Sequence, residues 1–154
     1  MKEREISMKK SFLTKCIIAI VVVIIGLFAY GYINKTTNNS SVGDKTVMVT
    51  VKDAVDNKNI IENEKFKTNA DTLTEFLKEN EKSLEVKMED GQYGSFLLAL
   101  KGLETKDKNK GPWWIYGYKS PSQNLDYKVG TAPVMDKINI HDGDSVEFVF
   151  TNTF

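Results

Sequence analysis

The sequence has 154 residues, with 21 basic and 21 acidic side chains, one histidine and one cysteine. This length predicts one ordinary domain, and the zero formal charge predicts no nucleic-acid partner, because phosphate binding needs a clustered basic excess. A single cysteine excludes an intrachain disulfide, and one cysteine with one histidine excludes a buried Cys/His zinc site. A Ser-His-Asp or Cys-His arrangement would have to use His141. The composition therefore favours binding over catalysis.

The chain begins with a basic flank, residues 1–15, and an uncharged apolar run, residues 16–33. The run, CIIAIVVVIIGLFAYGYI, would span about 27 Å as a helix at ~1.5 Å per residue, close to the ~30 Å hydrocarbon core of a bilayer. The flank has five basic and two acidic side chains, a net charge of +3, so the remainder carries −3. The positive-inside rule then predicts a single-pass protein of the cell membrane with an extracytoplasmic C-terminal part.

Two interpretations of residues 16–33 stay open. The segment is either a retained transmembrane anchor or a signal peptide that is cleaved near Gly31, which would release a secreted protein. The run is longer than the ~7–15 residues of a usual signal core, which favours the anchor. Both interpretations place the following segments outside the cytoplasm. Residues 34–45, rich in Asn, Ser and Thr, predict a flexible linker to a folded domain at residues 46–154.

The folded domain begins with two predicted strands. Residues 46–52 alternate apolar and polar side chains, which predicts a strand with one buried face formed by Val47, Val49 and Val51. Residues 53–69 are mostly polar and carry only a weak strand signal, from Ile60, Ile61 and Phe66.

A short helix follows. The stretch Thr72-Leu-Thr-Glu75 fits a capping box, in which Thr72 caps the helix start and Glu75 reaches back to the backbone. The predicted helix ends near Glu81, and three apolar residues lie on one of its faces: Leu73, Phe76 and Leu77. A helix this short is marginal alone, so it must pack on a sheet.

The rest of the domain predicts mainly strands and turns. In chain order these are a strand at 84–89, a turn at Asp90-Gly91, a strand at 93–103, a charged loop at 104–110, an aromatic strand at 112–118, a long loop at 120–133, a tight turn at 141–144 and a closing strand at 145–150. One helix followed by a run of strands indicates an α+β fold, with a mixed or antiparallel sheet and the helix on one face.

Four stretches carry a further signal: DTLTEFLKEN, EDGQYGSFLLALKGL, KGPWWIYGY and HDGDSVEFVF. Together they resemble a bacterial extracellular domain family of unknown function that is similar to the C-terminal domain of transcobalamin. The resemblance covers about residues 45–154 and implies a β-grasp fold with a binding or display role at the cell surface. In transcobalamin the similar domain covers a corrinoid. The resemblance therefore implies two alternatives, capture of a corrinoid for an importer and a structural or adhesive surface domain.

The aromatic strand provides the candidate binding site, Trp113, Trp114, Tyr116 and Tyr118. In a strand, Trp113 and Ile115 point to one face and the other three aromatic residues to the opposite face. If the first face packs on the helix, the other three rings form an exposed stripe suited to a small planar ligand, a glycan or a surface protein. In the alternative, these rings lie in the core or under the loop at 120–133.

The turn at 141–144 offers the other candidates for chemistry. Asp142 and Asp144 are too few for a calcium ion, which needs ~6–8 oxygen ligands, so no metal site is predicted. His141 lies beside them without an identifiable nucleophile, so no catalytic residue is predicted. The sequence thus predicts a membrane-anchored, extracytoplasmic, non-catalytic binding module with no cofactor and an undetermined ligand.

Overall fold

The structure is a computed structural model that describes residues 43–153. The predicted flank at 1–15, the predicted anchor at 16–33 and most of the predicted linker at 34–45 lie outside the described residues. Between residues 43 and 153, no helix is long and apolar enough to cross a membrane.

The described residues form eight strands, two short α-helices and one 3-10 turn. Their bounds are β1 Lys45–Asp53, β2 Lys58–Thr68, α1 Leu73–Glu79, α2 Glu81–Leu84, β3 Lys87–Gly91, β4 Gly94–Leu100, β5 Leu103–Glu104, β6 Trp113–Ser120, β7 Leu125–Tyr127, the 3-10 turn Met135–Lys137 and β8 Ser145–Thr151.

The strands form two sheets. The larger has the order β2-β1-β8-β6-β7, and the smaller has the order β3-β4-β5. In the larger sheet β1 and β8 are parallel, whereas all other neighbours are antiparallel. A parallel pair needs a long crossover, and here the whole chain from β2 to the turn before β8 provides it. The predicted α+β class with a mixed sheet and few helices is confirmed.

One continuous core lies between the larger sheet and helix α1. The predicted buried faces of β1 and β8 are confirmed, because their alternating apolar side chains are at most 6% exposed: Val47, Val49, Val51, Val146, Phe148 and Phe150. At roughly 1.5–3 kcal/mol for each fully buried side chain of this size, this face is a large part of the driving force for folding.

The start of α1 is as predicted. The Thr72 hydroxyl accepts a hydrogen bond from the Glu75 backbone N–H at 3.2 Å, and the Glu75 carboxylate accepts one from the Thr72 N–H at 3.3 Å. The three predicted apolar residues of the helix are fully buried: Leu73, Phe76 and Leu77. The helix itself ends at Glu79, two residues before the predicted end.

Strand β2 is stronger than its sequence signal, because it extends over eleven residues against β1. Ile61 and Phe66 are buried, whereas Ile60 is exposed. Between Val49 and Val51 the register shifts, and Asn63 adopts a left-handed conformation with φ of 49°. The Asn63 N–H donates to the Thr50 hydroxyl at 3.2 Å. This bulge holds Asn63 beside Thr50.

The predicted strand at 84–89 is wrong at its start. Leu84 ends helix α2, and Glu85 has φ of 52°, a left-handed conformation that closes the helix. Strand β3 begins only at Lys87. Leu84 is nevertheless fully buried, because α2 turns it into the same core that a strand would have reached.

Two turns also differ from the prediction. The turn after β3 lies at 92–93 instead of Asp90-Gly91, so that Gly91 and Gly94 still pair. The predicted strand at 93–103 is two strands, because Lys101 and Gly102 form a two-residue hairpin turn. Both have positive φ, 50° and 79°, which is the conformation that a tight hairpin needs.

The predicted loop at 120–133 contains one further short strand. Tyr127 pairs with Tyr118, and β7 thereby becomes an edge of the larger sheet. Three residues are too few to show an alternating pattern, so local sequence could not reveal this strand.

Replacing Thr72 with Ala is expected to lower the free energy of unfolding by about 1 kcal/mol, because the first turn of α1 loses its side-chain cap. Urea unfolding measures the change. Thr72→Ser keeps the hydroxyl and should retain most of the stability. Equal losses in both variants would show that the capping hydrogen bond is not the cause.

Candidate functional site

The two faces of strand β6 have different surroundings. Antiparallel pairing places Trp114 opposite Phe150, Tyr116 opposite Phe148 and Tyr118 opposite Val146. Since these β8 residues face the core, the three β6 rings face it too. Trp113 and Ile115 point to the opposite side of the sheet.

Tyr118 belongs to the core and is 2% exposed. Its hydroxyl donates to the Asp144 carboxylate and lies 2.9 Å from the Asn139 carbonyl oxygen. Burial raises the pKa of Tyr118 well above its ordinary value, and the hydrogen bond to Asp144 raises it further. The predicted exposed stripe is therefore wrong for Tyr118, because this face of β6 belongs to the core.

Trp114 and Tyr116 are half-buried against the same core. The Trp114 ring lies 4.9 Å from the Phe150 ring, and the Tyr116 ring lies 6.0 Å from the Phe148 ring. The Tyr116 hydroxyl donates to the Pro133 carbonyl, and burial raises its pKa. Both rings thus pack against the core, as in the alternative interpretation, and Tyr116 also contacts the loop at 120–133. A role in ligand binding stays a prediction for them.

Trp113 lies on the other face of the sheet and is half-buried. Its indole N–H donates to the Lys108 carbonyl at 2.8 Å, and a side chain at Gly111 would meet its ring. The ring is thus held in place by the loop before β6. The structure does not bring the four predicted residues together, because one of them is separated from the others by the sheet.

A cleft lies on this second face of the larger sheet, which we name the open face. Its volume is about 260 Å³. Side chains from several strands line it, among them Thr50, Asn63, Lys119, Asp126, Ser145 and Glu147. The cleft is therefore polar and carries charges of both signs.

Gly117 explains how the wall of the cleft forms. A Cβ atom at this position would lie 2.9 Å from both the Tyr127 carbonyl oxygen and the Val129 nitrogen. Only glycine lets the chain after β7 pass so close to β6. The Gly130 N–H then donates to the Tyr116 carbonyl at 3.0 Å and holds this crossing segment in place.

The charges at the cleft are mostly paired. Lys52 and Glu147 form an ion pair at 2.6 Å, and Lys128 and Asp126 form one at 3.0 Å. The hydrogen bond from the Lys128 ammonium holds the pKa of Asp126 below its ordinary value. Lys119 is directly opposite Asp126 on β7, and its charge also lowers the pKa of Asp126. The lining of the cleft therefore holds two lysines, Lys119 and Lys128, and two carboxylates, Asp126 and Glu147.

Both carboxylates of the turn at 141–144 accept hydrogen bonds from the backbone. Asp142 accepts from the Thr46 N–H at 2.8 Å, and the fully buried Asp144 accepts from the His141 N–H at 2.6 Å. His141 Nδ1 lies 2.8 Å from the Gln123 amide nitrogen. Over residues 43–153, no three or more His, Cys, Asp or Glu side chains form a group that could hold a metal ion.

Sequence reasoning missed the cleft. Its residues come from β1, β2, β6, β7 and β8, and each alone resembles an ordinary solvent-facing position. One signal was available, since Gly117 interrupts the aromatic strand, and glycine inside a strand often marks the close approach of another backbone. That signal could locate the crossing, but it could not identify the segment that crosses.

No protein-family profile matches the chain, and no curated protein matches it. Among solved structures, the chain is similar to a protein from Ruminococcus gnavus ATCC 29149 described as a "putative metal binding protein". The match covers 72% of this chain and 100% of that chain, with 24% sequence identity and a TM-score of 0.54. This likeness supports the sheet-dominated α+β fold, because the bacterial protein has a similar fold. Similarity to the transcobalamin domain is not among these findings and stays a prediction.

Replacing Tyr118 with Phe is expected to lower the free energy of unfolding by about 1–3 kcal/mol, because buried Asp144 loses its hydroxyl donor. The matched control is Tyr93→Phe, since the Tyr93 side chain is 75% exposed. Urea unfolding of both variants measures the difference. A loss no larger for Tyr118→Phe than for Tyr93→Phe would contradict a stabilising role for the contact.

Alkaline titration provides a second measurement. Unfolded tyrosines lose their proton near pH ~10, whereas Tyr116 and Tyr118 keep it in the folded protein because their pKa values are raised. The folded state then binds more protons, so stability should fall as the pH rises past ~10. Because Tyr118 keeps its proton in the folded protein, Tyr118→Phe should leave the tyrosinate absorbance of the folded protein near this pH unchanged.

Proposed function

We propose that this protein is a non-catalytic binding module, anchored in the cell membrane by residues 16–33, with an extracytoplasmic β-grasp domain at residues 46–154. The β-grasp assignment is supported by the strand order. The first and last strands form a parallel central pair, antiparallel strands flank them, and the helix follows the first hairpin and packs on one face. The membrane location is supported by the apolar run and its basic flank.

The cleft on the open face is the observation that carries the binding role. The core and helix α1 occupy the other face, so the open face is available for a ligand. A volume of about 260 Å³ is below the ~300–1,000 Å³ of sites for drug-sized ligands, which suits a molecule of the size of one sugar ring. The polar lining favours a ligand rich in hydroxyl or amide groups.

The arrangement of charged groups supports binding without catalysis. Asp126 and Glu147 are each held by a lysine, and so neither is a free general base. The His141 ring contacts Gln123 and the Asn139 carbonyl, and no nucleophile lies among its hydrogen-bond partners in the described part of the chain.

The ligand that we propose is organic and not a metal ion. The solved structure that resembles this chain is named for metal binding, but the described residues here supply no cluster of metal ligands. A planar cofactor is also disfavoured, since Tyr118 lies in the core and cannot stack on a ligand.

The membrane assignment predicts that the full-length protein stays in carbonate-washed membranes and that protease added to intact cells removes its C-terminal domain. The physical reason is the length of the uncharged run in residues 16–33, which matches a bilayer. Mass analysis of the mature chain distinguishes the alternatives. A secreted chain that begins near Gly31 would contradict the anchor, and protection of the domain inside intact cells would contradict an extracytoplasmic location.

The binding assignment predicts that a small polyhydroxylated compound shifts amide NMR signals at Gly117, Lys119 and Ser145 in the full-length protein. Signals at the tip of the β3–β4 hairpin, near Tyr93, should stay unchanged. Ser145→Tyr should abolish the response, because the larger ring fills the cleft. Ser122→Tyr is the matched control, since Ser122 is exposed and does not line the cleft.

Three results would contradict the binding assignment. A panel of sugars, sugar acids, amino acids and short peptides that produces no shift at the cleft would do so. Shifts confined to the Trp114 face would move the site to the opposite side of the sheet. Equal loss of response in both tyrosine variants would indicate a general disturbance and no specific site.

A further inference from the structure

Gln123 joins the loop between β6 and β7 to the segment that leads into β8. Its side-chain nitrogen lies 2.8 Å from Nδ1 of the His141 ring, 3.0 Å from the Asn139 carbonyl oxygen and 3.0 Å from the Ser120 hydroxyl oxygen. Within residues 43–153, it is the one residue of the loop at 121–124 with a hydrogen bond to this segment. We name these contacts the Gln123 latch.

The Gln123 latch requires a neutral His141 ring. The Asn139 carbonyl can only accept, so the Gln123 amide must turn its NH₂ group, and not its oxygen, toward it. The same NH₂ group faces His141 Nδ1, which must therefore be an unprotonated acceptor. Protonation of Nδ1 would place two donors 2.8 Å apart. It would also create a competing donor for the Asn139 carbonyl, which lies 3.3 Å from Nδ1.

Asp144 favours the protonated ring. Its carboxylate lies 4.0 Å from His141 Nδ1 and attracts a charged ring. One oxygen of this fully buried carboxylate accepts from the Tyr118 hydroxyl and the His141 N–H, whereas Oδ1 has no hydrogen-bond partner in the described part of the chain. A protonated ring thus gains an attraction that a neutral ring lacks. Burial raises the pKa of Tyr118, so its hydroxyl adds no charge beside the ring.

The other charged groups on the elements around the ring do not titrate with it. Asp142 accepts from the Thr46 N–H, and Asp71, whose carbonyl accepts from the Ile140 N–H, forms an ion pair with Lys45 at 2.9 Å. Aspartate and lysine side chains ordinarily titrate far from neutral pH, whereas an imidazole titrates near pH ~6.5. His141 is the only histidine of the chain, so a side-chain titration in this range identifies its ring.

We propose that the Gln123 latch is a pH-sensitive switch controlled by His141. While the ring is neutral, the latch fastens the loop at 121–124 and with it the start of β7, a three-residue strand at the edge of the sheet. Protonation releases the loop, and β7 loosens, because only its pairing with β6 still holds it. Since β7 supplies Asp126 and Tyr127 to the lining of the cleft, acid loosens one wall of the cleft. The switch goes beyond the proposed function and does not depend on what the cleft binds.

NMR of the full-length protein between pH ~5 and ~8 tests the switch, because this is the range in which a histidine changes charge. Nitrogen signals of the single imidazole report the protonation of Nδ1, and the side-chain amide signals of Gln123 report the latch. Nδ1 should be unprotonated in the neutral ring, and the Gln123 signals should shift with the same midpoint as the ring. The protection of β7 amides against hydrogen exchange, corrected for the intrinsic rate, should fall about fivefold at acidic pH, the effect of losing one hydrogen bond.

Variants identify the two partners of the latch. His141→Asn supplies a hydrogen-bond acceptor that does not titrate, so the latch should stay closed at acidic pH. Gln123→Ala should leave β7 weakly protected at both ends of the pH range. Gln92→Ala is the matched control, because Gln92 is exposed in the turn between β3 and β4 and should behave as the wild-type protein does.

Three results would overturn the switch. Gln123 signals that stay constant while His141 titrates would show that the latch does not depend on the ring. A pH response of β7 that persists in His141→Asn would assign the response to another group. Equal β7 protection in Gln123→Ala and the wild-type protein at neutral pH would show that the latch does not hold the strand. None of these results bears on ligand binding at the cleft, which Ser145→Tyr and Ser122→Tyr test separately.

Discussion

The parallel pair of β1 and β8 is the constraint on which the rest of the structure depends. Its register is held at one end by the turn at 141–144. The Gly143 N–H donates to the Thr46 carbonyl, the Met48 N–H donates to the Asp144 carbonyl, and the Asp142 carboxylate accepts from the Thr46 N–H, each at 2.8–2.9 Å. Parallel strands cannot be joined by a hairpin. The chain between β1 and β8 is therefore one long connection that must bring β8 back alongside β1.

That connection decides which surfaces are buried. Since β8 lies between β1 and β6, the buried apolar side chains of all three strands share one face, where they form one core with those of helix α1. Asp144 contributes through its buried carboxylate, which accepts from the Tyr118 hydroxyl and the His141 N–H. Without these donors, burial of the carboxylate would lower the stability of the fold. The hydrogen bond from Tyr118 also ties the turn at 141–144 to β6. Three aromatic residues of β6, Trp114, Tyr116 and Tyr118, therefore contribute to the core.

The same pairing creates the open face and its cleft. Polar side chains of β1, β8 and β6 alternate with the core residues and so come together on the reverse of the sheet. The chain after β7 then crosses β6 at Gly117 and forms a wall. The two faces of the sheet thus differ, with apolar packing on one and a polar cleft on the other.

The sequence by itself determined the features that depend on neighbours within a few residues. The alternation in β1 and β8 predicted their buried faces, the Thr72–Glu75 spacing predicted the capping box, and the element order predicted an α+β fold. Only the tertiary structure decided which face of β6 is buried, that Leu84 ends a helix, and that Lys119 joins Ser145 and Asn63 at one cleft. These outcomes depend on pairing between strands far apart in the chain. A residue pattern with period two shows that a strand has two faces, but it cannot show which of them meets the core.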